Sequence, residues 1–218
     1  MKRFVVVGLG NFGMSVTEAL HARGYEVIAV DIDEAAVDRA ARHATRAVVG
    51  DGRETTTLQR LGAEDADAAV VSTGRSVTAS ILATMALQDL GVPEIYVDVI
   101  SRNQARVLEK LGVTETIFPE RESGLRLARR IASVRILNYI DVGAGFGVQE
   151  MTIPANWVGQ CLRELDLPGK FGISAIAVHD VKRNVMTPTP GQDVELTADH
   201  TLLVAGSADN LARAADVK

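Results

Sequence analysis

Residues 4 to 13 read Phe-Val-Val-Val-Gly-Leu-Gly-Asn-Phe-Gly, an apolar run closed by a Gly-x-Gly-x-x-Gly turn. A second apolar run, Glu26-Val27-Ile28-Ala29-Val30-Asp31, ends in an acid eighteen residues after Gly13. The glycine pattern alone is weak. Placed after a strand-like run, before a helix-like stretch from Asn11 to about Arg23, and ahead of Asp31, it is the signature of a dinucleotide fold. Gly8 permits the tight turn, and Gly10 lets backbone approach a phosphate. Gly13 lets the helix pack closely on the strand, with its positive N-terminus toward the anion. Asn11 and Phe12 complete the turn, and Asp31 is placed to accept hydrogen bonds from ribose hydroxyls. A glycine-rich corner with no ligand is the competing reading of the same residues. The expectation is an adenine-nucleotide site.

The chain has 218 residues and a net charge of −5, with a pI near 5.4. That acidity argues against nucleic acid as a partner. An aromatic content of 4% leaves no base-stacking platform. Cys161, the single cysteine, excludes an internal disulfide and reads as a small apolar side chain on a short helix. Met1-Lys2-Arg3 leads straight into a strand broken at Gly8, so no signal peptide is expected. Nothing approaches the ~18 apolar residues of a membrane span.

From Arg3 to Pro119 strand-length apolar runs alternate with amphipathic stretches. Strands are predicted at 3–8, 26–31, 46–50, 67–72, 94–99 and 115–118, and helices at 11–23, 34–43, 54–61, 76–90 and 102–111. Gly24, Gly62, Gly91 and Gly112 close several of them. Unbroken apolar strands separated by helices imply a parallel sheet covered on both faces, a Rossmann-like doubly wound α/β unit over 1–120. A helix is then expected from about Gly124 to Tyr139, with Leu127, Ile131, Val134 and Leu137 at helical spacing. Its arginines fit either a solvated surface or a connector packed on a partner subunit, so 121–142 reads as a crossover and hinge. The run Asp141 to Gly147 is glycine-rich and is read as the domain boundary. Beyond it, strands at 148–153, 173–179, 184–187 and 201–205 and helices at 159–167 and 208–215 predict a small α+β domain over 143–218.

Ligands of open α/β sheets sit at the carboxyl ends of the strands. Strand three ends in Gly50-Asp51-Gly52 and strand four in Ser72-Thr73-Gly74-Arg75. Asp51 is placed to meet the exocyclic amine of an adenine beside Gly52, or else to close a turn. Thr73, Gly74 and Arg75 fit the phosphate side, although Arg75 equally fits water. Asp33 reads as a helix cap. An acid at position 31 disfavours a 2′-phosphate, leaving NAD, NADH, ATP, ADP and AMP open. His21, His43, His179 and His200 are scattered, and no nucleophile-plus-base spacing is present. The pattern favours a sensor over an enzyme, with an NAD-dependent oxidoreductase having a small substrate domain as the alternative.

Several segments together resemble one family. The glycine turn, Asp31, Val107-Leu108-Glu109-Lys110-Leu111-Gly112, Phe118-Pro119-Glu120, Leu137-Asn138-Tyr139-Ile140-Asp141 and Leu162-Arg163-Glu164-Leu165-Asp166 are similar to the KtrA/TrkA family. These are cytoplasmic RCK-domain regulatory subunits of bacterial potassium uptake systems. The resemblance covers nearly the whole chain and is nearest to the single-repeat KtrA kind. It implies a homo-octameric ring, a tetramer of dimers, peripheral to the inner face of the membrane beneath a potassium-conducting subunit similar to KtrB or TrkH. It implies that ATP and ADP, or NADH and NAD, bind the N-terminal lobe and change the ring's shape. Glu120 occupies the position where relatives hold a divalent cation, Mg²⁺ or Ca²⁺, between paired nucleotide sites. By its own sequence context it is a carboxylate at a helix N-terminus. In some relatives the C-terminal lobe binds cyclic di-AMP between two copies, and residues around Ile173 to Asn184 would face that interface. Two positions depart from the pattern. Asn11 stands where many relatives carry an arginine, and Asp98 where one kind of relative carries a lysine.

Overall fold

The structure is a computed structural model that describes residues 1–132 and 135–217. It divides into two compact units, Met1–Arg121 and Glu122–Lys218.

The first unit alternates strands and helices: β1 (Arg3–Val7), α1 (Asn11–Ala22), β2 (Glu26–Asp31), α2 (Glu34–Ala40), β3 (Arg46–Val49), α3 (Thr55–Arg60), β4 (Ala68–Val71), α4 (Val77–Asp89), β5 (Ile95–Asp98), α5 (Arg102–Lys110) and β6 (Glu115–Ile117). All neighbouring strands pair in parallel, in the order β3-β2-β1-β4-β5-β6. Successive side chains on a strand face opposite ways, and β1 shows the result. Val5 and Val7 enter a core with Leu58, Leu87 and Leu108 from α3, α4 and α5, whereas Val6 enters one with Ala36 and Val37 from α2 and Phe12 and Leu20 from α1. This two-sided burial is why the strands read as unbroken apolar runs. The strand order reverses between β1 and β4, and their carboxyl ends diverge there into a cleft. Asp33 caps α2 as expected, accepting from the Ala35 amide at 3.0 Å.

A further helix, α6 (Pro119–Ala132), precedes β7 (Ile136–Gly143) and β8 (Phe146–Thr152). The chain continues through α7 (Leu162–Leu165), α8 (Leu167–Phe171), β9 (Ile173–Asp180), β10 (Val185–Pro188), β11 (His200–Ser207) and α9 (Ala208–Ala215). These strands form an antiparallel sheet in the order β10-β9-β11-β8-β7. One face carries Met151, Leu202 and Val204 into a core with Leu162 of α7, Leu167 of α8 and Leu211 of α9. On the opposite face Glu150 accepts from Asn138 Nδ2 at 2.7 Å and from Thr201 Oγ1 at 2.8 Å.

Three expectations are corrected. The helix predicted to reach Tyr139 ends at Ala132, and Leu137 and Tyr139 lie on β7; Val134 lies outside the described residues. The glycine-rich run 141–147 is the corner of the β7–β8 hairpin. Ala144 and Gly145 both take positive φ there, 52° and 75°, as a two-residue hairpin turn requires. Helical spacing and strand alternation coincide over such a short stretch, and only pairing with β8 decides between them. The helix predicted at 159–167 is also split, because Asp166 adopts φ 42° and ends α7 before α8 begins.

Leu202 sits fully buried on the central strand β11, so Leu202→Ala is expected to lower stability by about 2–5 kcal/mol, read as a shifted urea midpoint at unchanged slope.

Candidate functional site

The cleft at the switch point encloses about 400 Å³, within the roughly 300–1,000 Å³ typical of small-molecule sites. Its floor is the glycine turn. Gly8 has φ +93°, and a Cβ there would collide with the Ser72 carbonyl oxygen. A Cβ on Gly13 would collide with the Gly8 carbonyl oxygen. The turn is therefore a three-way backbone contact among β1, α1 and the end of β4, which no side chain can enter. Gly10 differs, with nothing within 4 Å of its Cβ position. It lines the cleft and leaves open space above the backbone.

Asp31 ends β2 and lines the same cleft. Its Oδ2 accepts from the Leu9 amide at 2.6 Å and its Oδ1 from the Asp33 amide at 2.9 Å. The carboxylate is thus tied to the glycine turn and held in one orientation, with lone pairs left for hydroxyl donors. Two helices begin here. α1 starts after Gly10. α4 starts after Ser76, whose side chain accepts from the Ala79 amide at 3.2 Å, and Ser76 and Ala79 both line the cleft. Two positive helix termini converging on one space favour an anion.

Asp51, Gly52, Thr73 and Gly74 also line the cleft. Asp51 is engaged by Arg53, with Nη2 to Oδ2 at 2.6 Å and Nε to Oδ1 at 2.9 Å. That hydrogen-bonded guanidinium holds the Asp51 carboxyl below the usual carboxylate range. Gly50 and Ser72, named with Asp51 and Thr73 in the sequence, line the cleft too, whereas Asn11, Phe12, Gly13, Arg75 and Glu120 do not. Asn11 is exposed in the first turn of α1. Phe12 packs into the core beneath α1, and Gly13 is buried against Gly8. Arg75 is exposed beyond Gly74, and Glu120 is exposed on the first turn of α6.

The structure adds contacts and residues to which the sequence reading gave no role. Ile32 follows Asp31 and lines the cleft with 72% of its surface exposed, an apolar patch beside an acid. Arg53 is the partner of Asp51. Ser72 is 5% exposed and donates from Oγ to Asp98 Oδ2 at 2.6 Å. Burial raises the Asp98 carboxyl, the Ser72 hydrogen bond partly offsets that, and the charge of Glu120 pushes it further up. An apolar residue after a strand-ending acid was a readable signal for Ile32. The Ser72–Asp98 link had none, because twenty-six residues separate its ends.

The TrkA-N domain matches residues 4–119 and the TrkA-C domain residues 148–217. Ktr system potassium uptake protein C of Bacillus subtilis (strain 168) is 34% identical over 212 residues, covering 97% of this chain and 95% of that protein. The chain belongs to the KtrA/TrkA family. Ktr system potassium uptake protein A of Vibrio alginolyticus is 33% identical over 211 residues, again 97% and 95% of the two chains. Among solved structures, the GsuK RCK domain matches with a TM-score of 0.54 at 19% identity, over 97% of this chain and 45% of that one. The TrkA-N domain of the inner membrane protein ybaL of Escherichia coli matches with a TM-score of 0.52 at 20% identity, over 60% and 94%. At these identities the structural likeness shows the fold.

Asp98 gives this family member a pH signature. The folded chain holds the Asp98 proton more tightly than an unfolded chain does, so its ionisation opposes folding increasingly as pH rises through the raised value. Asp98→Asn is expected to raise the melting temperature at pH 7 and to converge with the parent protein below about pH 4, as read by thermal melts across pH.

Proposed function

We propose that this chain is a non-catalytic, nucleotide-sensing subunit that regulates a membrane-embedded potassium channel or transporter. The carrying observation is the cleft itself: a backbone turn open at Gly10, a carboxylate fixed by the Leu9 amide, and two helix N-termini facing one space. An adenine nucleotide fits that arrangement. Its ribose hydroxyls donate to Asp31, its phosphates lie over Gly8 and Gly10, and its base lies by Ile32, Asp51 and Gly52. Thr73, Gly74 and Arg75 sit on the phosphate side, where the exposed Arg75 can reach. Asn11, Phe12 and Gly13 contribute by shaping the turn. ATP and ADP are the primary ligands in this reading, with NAD or NADH in the same place.

Family membership, together with relatives named as potassium uptake proteins, supports the transport role. No helix among the described residues is long and apolar enough to cross a membrane, so the reading assigns conduction to a partner subunit and places this chain on the cytoplasmic side. The working assembly is a homo-octameric ring whose shape responds to the bound nucleotide. Glu120 supplies one carboxylate toward a divalent cation. No group of three or more metal-ligating His, Cys, Asp or Glu side chains occurs among the described residues. The remaining ligands must then come from phosphate oxygens or a second copy. Cyclic di-AMP in the C-terminal unit is the secondary ligand of the same proposal.

Bound ligand raises the melting point as its concentration exceeds its dissociation constant. Adenine nucleotides are expected to raise it, and Asp31→Ala to abolish the rise. Gly10→Ala is expected to fold at a cost of about 0.5–1 kcal/mol, since alanine is a poorer helix N-cap than glycine, yet to weaken binding at least tenfold. Light scattering is expected to give a mass far above the 23.3 kDa of one chain. A monomer at all ligand conditions would remove the ring, and indifference to every adenine nucleotide would remove the sensor.

A further inference from the structure

The strand ends that border the cleft lie in the order β3, β2, β1, β4, with β5 next in line. At roughly 4.8 Å per strand the distance from β2 to β5 is about 14 Å. A ligand whose ribose meets Asp31 on β2 and whose first phosphates lie on the turn after β1 therefore sends its far end past Ser72 toward β5. The charge along that line changes sign. The middle is favourable to anions, because α1 and α4 begin there. At the β5 end, Asp98 lies outside the cleft lining and accepts from the hydroxyl of the cleft-lining Ser72 at 2.6 Å. Glu120 adds a second carboxylate whose charge Asp98 feels. Arg53 is committed to Asp51 at the opposite end, Asn11 contributes no charge, and Arg75, exposed beyond Gly74 on the phosphate side, is screened by solvent.

We propose that Asp98 is a specificity-determining residue that makes this cleft select a dinucleotide, of the nicotinamide adenine type, over a metal-free nucleoside triphosphate. The inference rests on the reading of the cleft as an adenine-nucleotide site. A dinucleotide places its bridging pyrophosphate over the anion-favouring middle and has no terminal phosphate to bring against Asp98. Its second nucleoside instead brings hydroxyl donors. Ser72, whose hydroxyl donates a hydrogen bond to Asp98, keeps lone pairs to accept from them. A triphosphate in the same pose drives its terminal phosphate toward Asp98 and Glu120, and gains affinity when a divalent cation neutralises that end.

Isothermal titration of the full chain with NAD and with ATP, each in EDTA and in Mg²⁺, tests this directly. In EDTA, NAD is expected to bind at least about tenfold tighter than ATP, the scale of one unscreened like-charge contact near a surface. Mg²⁺ is expected to improve ATP and leave NAD unchanged. Asp98→Asn, which keeps an acceptor for Ser72, is expected to narrow the NAD preference in EDTA, and Asp98→Lys to reverse it. Circular dichroism and urea melts verify that each variant is folded. Metal-free ATP binding as tightly as NAD to the parent protein overturns the proposal. So does an unchanged ligand ratio in folded Asp98→Asn. Failure of both ligands under both metal conditions has a different meaning, since it removes the adenine-nucleotide reading itself.

Discussion

The contact on which the rest of this structure depends is made of backbone. Gly8 lies against the carbonyl of Ser72 and Gly13 against the carbonyl of Gly8, at separations that leave no room for a Cβ. Those contacts bring the ends of β1 and β4 and the start of α1 together at the one place where the sheet reverses direction. The Leu9 amide joins the same knot through Asp31. A side chain at Gly8 or Gly13 would push α1 off the sheet and open the floor of the cleft. Packing and binding geometry are thus one constraint. The residues that let the helix settle on the strand also aim its first amides at the cleft.

Around that knot the electrostatics are uneven. Backbone dipoles supply the positive potential in the middle of the cleft, where α1 and α4 begin. Side chains set the two ends. At the β3 end Asp51 and Arg53 compensate each other. At the β5 end Asp98 is half-buried, accepts from the Ser72 hydroxyl, and is burdened by the charge of Glu120. Backbone sites of this kind bind phosphate with little regard for what is attached to it. The side chains at the two ends are therefore where one family member can differ from another.

Much of the first unit was legible in the sequence because its strands are covered on both faces. Such strands must be apolar throughout, and Val5, Val6 and Val7 announce themselves regardless of register. The glycine turn and Asp31 were legible for a related reason, since their spacing is imposed by the local strand–turn–helix path. The segment from Ile136 to Gly147 was misread. Its apolar spacing satisfied a helix and a strand equally, and the deciding hydrogen bonds come from β8, partners that no local pattern contains. Arg53 escaped notice because an arginine two residues past an aspartate reads as a solvated charge until the chain curls it back.

The sequence by itself determined the parallel α/β unit, the position of the nucleotide-type turn, and the presence of a second, differently built unit. These follow from hydrophobic periodicity and from glycine's unique steric allowance, both of which act over a few residues. Tertiary structure alone decided that Phe12 is core and Ile32 is cleft, that residues 136–143 are a strand, and that Ser72 and Asp98 meet. Each of those depends on which strands become neighbours, and strand order is set by the global arrangement that best buries both faces of the sheet.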